Sequence, residues 1–352
     1  MMNERKVCGN VRSGVVIAIL CVVAIMLAAA NLATGAVEIP LGEIWNIITG
    51  KGGSDAVWEL IVMQSRLPLI ATAALSGGAL AIAGLLMQTL FNNPLADPSI
   101  LGVSSGSSLG VAIVMLLLGG ELGTLFGTTV GGYVSILAGA IAGAALILAA
   151  LMLFSSLVKG TTMLLIVGIM ISFLASSAIS LLNFFSTQEG VHSYVIWGLG
   201  NFSGVTMGSL PLFSLVILFV LAWSMLLVKP LNALLLGSRY AESLGVNLRR
   251  VRNVLLLVTG ILTATVTAFC GPIGFIGLVV PHIARLMLNS SDHRVLMPCT
   301  MLAGVVVALL CQFVSVLPTS VGIIPINAIT PIVGVPIIIY IILNRKKIKY
   351  FN

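Results

Sequence analysis

The sequence predicts an all-α, polytopic transmembrane bundle of about ten helices with an inverted internal repeat, on three observations. Of 352 residues, 59% are hydrophobic and 8% charged, with a mean hydropathy of +1.18; soluble domains of this length do not have that composition. Crossing the hydrocarbon layer takes about 20 mostly apolar residues, and such stretches recur along the whole chain. Basic residues collect in alternate connections between them.

The apolar stretches fall at 13–35, 66–91, 99–118, 127–154, 162–185, 209–228, 252–270, 273–289, 295–316 and 324–343, which makes 1–352 one transmembrane domain. The first is read as a retained helix. Small residues at 32–36 resemble a cleavage region, but the apolar core runs past the roughly 7–15 residues usual for a signal peptide. An even count places both termini on one side.

With that side cytoplasmic, the inner segments and chain ends hold Arg5, Lys6, Arg12, Lys159, Lys229, Arg239, Arg249, Arg250, Arg252, Arg285, Arg294, Arg345, Lys346, Lys347 and Lys349, which is 15 of the 17 basic residues. Outside remain Lys51 and Arg66, with Glu38, Glu43, Asp55, Glu59, Glu121 and Glu189. Positive charge inside sets the orientation. The net charge of +7 is then a matter of topology and gives no reason to expect a nucleic-acid partner. Five cysteines (Cys8, Cys21, Cys270, Cys299 and Cys311) have no C-x-x-C spacing and read as small apolar residues.

Two connections stand out. In the external segment 36–65, Ile39, Leu41, Ile44, Trp45, Ile47 and Ile48 predict a short amphipathic helix at the interface. The longest internal connection, 229–250, is polar, basic and partly helical in pattern, and offers a surface to a cytoplasmic partner. Within the spans, Gly106-x-x-x-Gly110, Gly139-x-x-x-Gly143 and the pair Gly77–Gly78 predict close helix contacts in lipid. Two interrupted segments, 93–98 and 270–277, lie on opposite faces of this topology, as an inverted repeat requires, and broken segments in corresponding halves mark transport sites. Asp97 and Pro98 fit an N-cap and first helical position.

The spans carry no mid-membrane carboxylate for ion coupling and no acid, base, nucleophile or metal cluster for intramembrane catalysis. Arg66 and Arg285 are the deepest charges. His282, after Pro281, reads as a packing residue beside the carbonyl that the proline leaves without a donor. No Lys is followed by Ser or Thr, so there is no P-loop. An ion-coupled secondary transporter or an enzyme acting on lipid-linked substrates would need groups that these spans lack; an active transporter would draw its energy from a partner.

Several strings then carry a resemblance. Residues 66–68 (RLP), 87–98 (MQTLFNNPLADP), 101–106 (LGVSSG), 236–237 (LG), 241–245 (AESLG), 274–282 (GFIGLVVPH) and 292–294 (DHR) resemble the permeases of type II ABC importers for iron-siderophores, haem and vitamin B12. The resemblance covers nearly the whole chain from Arg66 onward. It implies a ten-helix subunit of a bacterial or archaeal cell membrane, paired with a second and usually identical permease. Two cytoplasmic ATPases, which bind the ATP and Mg, and an external substrate-binding protein complete the assembly; the permease has no catalytic residue, metal or cofactor of its own.

The same resemblance assigns ATPase coupling to Gly237, Arg239, Glu242, Ser243, Leu244 and Gly245, and a cytoplasmic gate to Asn93, Leu95, Thr161 and Thr162. It lines the pathway with the fifth and tenth spans. There Ser172, Ser176 and Ser180 form one polar stripe at i, i+4 and i+8, which faces the pathway or hydrogen-bonds helix to helix. Arg66 and Lys51 are the candidates for docking the binding protein. Departures from the family occur at Leu69, where many relatives have a second Arg, and at 323–327, where the family's Glu is Ile323. Fewer external charges therefore remain for docking. Pro331 and Pro336 predict a bend in the last span.

Overall fold

The computed structural model describes residues 2–35, 37–51, 53, 55–117, 129–158, 160–317 and 323–343. Glu121, Lys159, Arg345, Lys346, Lys347 and Lys349, counted in the charge pattern, lie outside these. The described residues are helical apart from their connections: α1 Met2–Ala33, α2 Leu41–Ile48, α3 Ala56–Ile61, α4 Leu67–Leu90, α5 Val103–Ala112, α6 Thr129–Leu157, α7 Thr161–Phe185, α8 Gln188–Gly198, α9 Leu210–Met225, α10 Val228–Leu235, α11 Ser238–Ser243, α12 Leu248–Cys270, α13 Ile276–Leu288, α14 His293–Val316 and α15 Ile326–Leu343. Six stretches are long and apolar enough to cross a membrane, and a seventh is the pair α9 and α10, bent by 53°. The chain is thus a multi-pass membrane bundle.

Helix α4 is its axis, packed against α9, α12, α13 and α14, while α1 lies on α14, and α5 on α6 and α7. Small residues make this possible. A Cβ on Gly110 would stand 1.9 Å from the Gly139 carbonyl oxygen and one on Gly143 2.0 Å from that of Gly106, so the two predicted motifs pack on each other in antiparallel register. Gly77 and Gly304 meet in the same way across α4 and α14, each 2.3 Å from the other's carbonyl oxygen by that measure.

The structure corrects several expectations. The external segment forms two helices, α2 and α3, and a π turn (Val62–Arg66) joins α3 to α4, so the second crossing begins ten residues earlier, at Ala56. In α2, Ile44 and Ile47 pack with Ile39 and Val62, leaving Leu41, Trp45 and Ile48 exposed, which is the two-faced pattern of an interfacial helix. The connection after α7 holds an unforeseen helix, α8, capped by Thr187. The predicted third span breaks at Gly102 between a 3₁₀ turn (Pro98–Leu101) and α5. Pro331 and Pro336, where a bend is expected, both lie inside α15.

Candidate functional site

The interrupted segment after α4 is built by local chemistry. Asn92 adopts φ +47, the Asn93 side-chain oxygen accepts from Leu95 N at 3.0 Å, and its carbonyl accepts from Ala96 N, so the chain reverses in a tight turn. Asp97 Oδ1 then accepts from Ser99 N at 2.8 Å and from Ser99 Oγ at 2.6 Å, with Pro98 in the first helical position. The second interrupted segment, expected on the opposite membrane face, reaches it through its last residue, Gly277. A Cβ on Gly277, in the first turn of α13, would lie 3.0 Å from Pro98 and 3.3 Å from Asp97 Oδ2. Desolvation there raises the Asp97 pKa above the ordinary carboxylate range, and the Ser99 hydrogen bonds oppose it.

His282 donates from Nε2 to the Pro94 carbonyl at 2.7 Å. It hydrogen-bonds as expected, but across to the turn; the carbonyl freed by Pro281, that of Gly277, instead lies against Gly84, where a Cβ would be 1.8 Å away. One turn on, the buried Arg285 donates to Gln88 Oε1 at 2.6 Å, and Gln88 Nε2 donates to the Leu278 carbonyl. Turn, α4 and α13 are therefore one hydrogen-bonded unit.

A second set of bonds ties this unit to α10, which leads into the loop around α11. Asn232 of α10 donates from Nδ2 to Asp292 Oδ1 at 2.7 Å, and its Oδ1 accepts from His293 N at 2.9 Å. That oxygen lies 2.8 Å from His293 Nδ1, so the ring carries its proton there and Nε2 faces the Thr89 hydroxyl, 2.9 Å away at the end of α4. Asn232, His293, Thr89, Gln88 and Arg285 were not singled out as site residues; their partners lie far along the chain, and no local spacing marks them.

The loop that follows α10 turns at two glycines with positive φ, Gly237 (+97) and Gly245 (+82), a region in which other residues are strained. Between them α11 buries Ala241 and exposes Arg239, Glu242 and Ser243. Leu236, Tyr240 and Leu244, at 60%, 54% and 57% exposure, add apolar surface to the same loop. Arg239, Glu242, Ser243 and Leu244 of the predicted coupling set are thus all exposed.

A cavity of about 520 Å³ joins these parts. Thr89 and Asn92 line it from the turn, Thr161 from the start of α7, and Gly237, Ser238 and Glu242 from the loop. Of the predicted gate residues, Thr161 is half-buried in this wall, Asn93 adjoins it, and Leu95 and Thr162 are exposed beyond it.

The other predicted site residues lie apart. Ser172 Oγ donates to the Gly168 carbonyl and abuts Gly102, whereas Ser176 and Ser180 are exposed, Ser180 donating to the Ser176 carbonyl. Ser172 is half-buried, and Ser176 and Ser180 are open on the outer face of α7. Lys51 is exposed, but Arg66 is 7% exposed, donating to the carbonyls of Leu32 (2.6 Å), Ala33 (3.3 Å) and Val37 (2.5 Å). The guanidinium clasps the end of α1 and is not presented to an external partner. No three His, Cys, Asp or Glu side chains converge on a metal position among the described residues.

Comparison with known proteins agrees with this architecture. The chain is 36% identical to the vitamin B12 import system permease protein BtuC of Shigella boydii, over 96% of its own length and 97% of the relative's. It is 37% identical to that of Salmonella typhi, covering 87% and 90%. A solved chain from an inward-facing conformation of a metal-chelate type ABC transporter superposes with a TM-score of 0.77 at 30% identity, over 94% of this chain and 98% of that one. Residues 20–344 match the FecCD transport family, and the chain belongs to that family.

Proposed function

We propose that the chain is the permease subunit of an ABC importer that carries a metal chelate of the iron-siderophore, haem or corrinoid kind into the cytoplasm. The protein itself performs no covalent chemistry; the partner ATPase binds ATP and Mg. The observation that carries this reading is the shared cavity, in which the turn after α4, the start of α7 and the loop around α11 line one space. A push on that loop reaches the turn without crossing the bundle.

In this reading the exposed Leu236, Tyr240 and Leu244, with Arg239, Glu242 and Ser243 among them and Gly237 and Gly245 as the turns of the loop, dock the ATPase. Exposed apolar side chains on a polar loop favour a protein partner. Asn93, Leu95, Thr161 and Thr162 form the gate. Ser176 and Ser180 line the pathway together with α15, and a second copy faces them across it; α7 buries only Leu164, Gly168 and Ala175 within its own protomer. The shorter apolar helices around α5, α13 and α15, with the bent pair, raise the crossings to ten and leave both termini in the cytoplasm. An external binding protein delivers the substrate to the side that carries Lys51. With Arg66 turned inward and Glu38, Asp55, Glu59 and Glu189 exposed, docking there relies on more than basic side chains of the permease.

The test is reconstitution with and without the cognate ATPase, using labelled cobalamin and a labelled ferric siderophore. Labelled haem is the third probe; uptake of one of the three that requires ATP supports the reading, and uptake of none contradicts the substrate class.

A further inference from the structure

A groove of about 350 Å³ runs between α6 and α12 on the outside of the bundle. At its mouth stand Arg249, Arg250 and Asn253, with Asn247, the N-cap of α12, whose Oδ1 accepts from Arg250 N at 3.0 Å. Further in, the walls are Met152 of α6 and Val254 and Leu257 of α12. No carboxylate lines it. Arg249, Asn253 and Leu257 follow one another at i, i+4 and i+8, so the wall passes from cationic to apolar within about 12 Å of helix. The first-turn N–H groups add the positive end of the helix dipole at the cationic end.

Helix α6 also exposes Leu146, Leu153 and Leu157 (67%, 61% and 68%), an apolar face on a helix long enough to cross a membrane. With that helix in a bilayer, a ligand seated in the groove is met by two arginines at the end of α12 and by apolar side chains further along it. A soluble anion would leave the apolar wall unused, and a neutral lipid would leave the arginines without counter-charge.

We propose that this groove binds an anionic phospholipid, its phosphate on Arg249 and Arg250 and one acyl chain along Met152, Val254 and Leu257. The site lies one helix turn from Arg252, whose guanidinium donates to the Ser155 carbonyl, and Ser155 Oγ donates to Asn253 Oδ1. The lipid would therefore seal the α6–α12 seam beside the cavity that Arg249 also lines. On the proposed orientation this is a lipid of the cytoplasmic leaflet; its binding needs neither ATPase nor transport, so failure of the lipid site and failure of the importer reading are separate.

The experiment is native mass spectrometry of the purified full-length chain with dioleoyl phosphatidylglycerol or dioleoyl phosphatidylcholine, which have identical acyl chains. Phosphatidylglycerol should be retained preferentially. The double variant Arg249→Gln/Arg250→Gln should weaken its retention about 30-fold, from roughly fivefold per basic residue near a membrane surface. Met152→Trp, which fills the apolar part and spares both charges, should weaken it as well, and Arg294→Gln, an exposed arginine elsewhere, should not. Melting curves matched to the unmodified chain establish that each variant is folded. Equal retention of the two lipids, an equal loss in Arg294→Gln, or full retention in Met152→Trp would each overturn the proposal.

Discussion

Asn232 and His293 illustrate how much of this molecule depends on single polar contacts between distant parts of the chain. The ring of His293 is fully buried between Asn232 and Thr89. Removing one partner leaves it short of a hydrogen bond at a cost of about 1–3 kcal/mol. Asn232→Ala should lower thermal stability by about that amount, and a double-mutant cycle with Thr89→Val should return a coupling of about 0.5–3 kcal/mol if the three residues act as one network. Arg66→Ala should cost at least as much, because three backbone carbonyls lose their donor together; melting of the detergent-solubilised variant measures it. Asp97 gives a pH signature. Its pKa is raised in the fold, so the folded state binds the proton more tightly and stability contributed by this group falls as pH rises from 3.8 toward the raised value. Asp97→Asn should flatten that part of the profile, read as the difference between the variant's melting temperatures and the parent's across pH.

At the scale of elements, what was legible in the sequence is what is local or what only one residue type can do. The glycine pairs on α5 and α6 could be read because backbone contact excludes any side chain, and Asp97 with Pro98 because a cap is made within three residues. Gly143→Leu should therefore prevent α5 and α6 from closing, with a loss of at least 1–3 kcal/mol seen as reduced yield and melting temperature. Side-chain direction was not legible. The place of Arg66 near a span end suggested the external surface, and only the fold turns it under α1. The serines of α7 are a related case, since i, i+4 and i+8 share a face only approximately: Ser172 lies against Gly102, while Ser176 and Ser180 are exposed. The loop around α11 is legible from its motif, but which of its apolar side chains stay exposed depends on which side Ala241 buries. Replacing Glu242 and Gly245 together, by Ala, strains a backbone at φ +82 and removes an exposed charge. Expression should be unaffected, whereas ATPase stimulation and transport should fall about tenfold or more; a loss of 1.4 kcal/mol in docking is a factor of ten.

For the whole molecule, composition and charge suffice to identify a multi-pass bundle, and the absence of mid-membrane coupling groups points to an external motor. Composition does not reveal how the proposed coupling reaches the bundle. The contacts on that route join residues 232 and 293, 88 and 285, and 94 and 282, each pair separated by tens to hundreds of positions along the chain. Together they hold α10, the turn after α4 and α13 side by side. The most direct test is uptake of labelled cobalamin or ferric siderophore into proteoliposomes that hold this chain alone or with its ATPase and external binding protein. Uptake should occur only with the ATPase present and ATP supplied on the side that carries α11. Uptake by the chain alone under a proton or sodium gradient, with no ATPase present, would contradict the account.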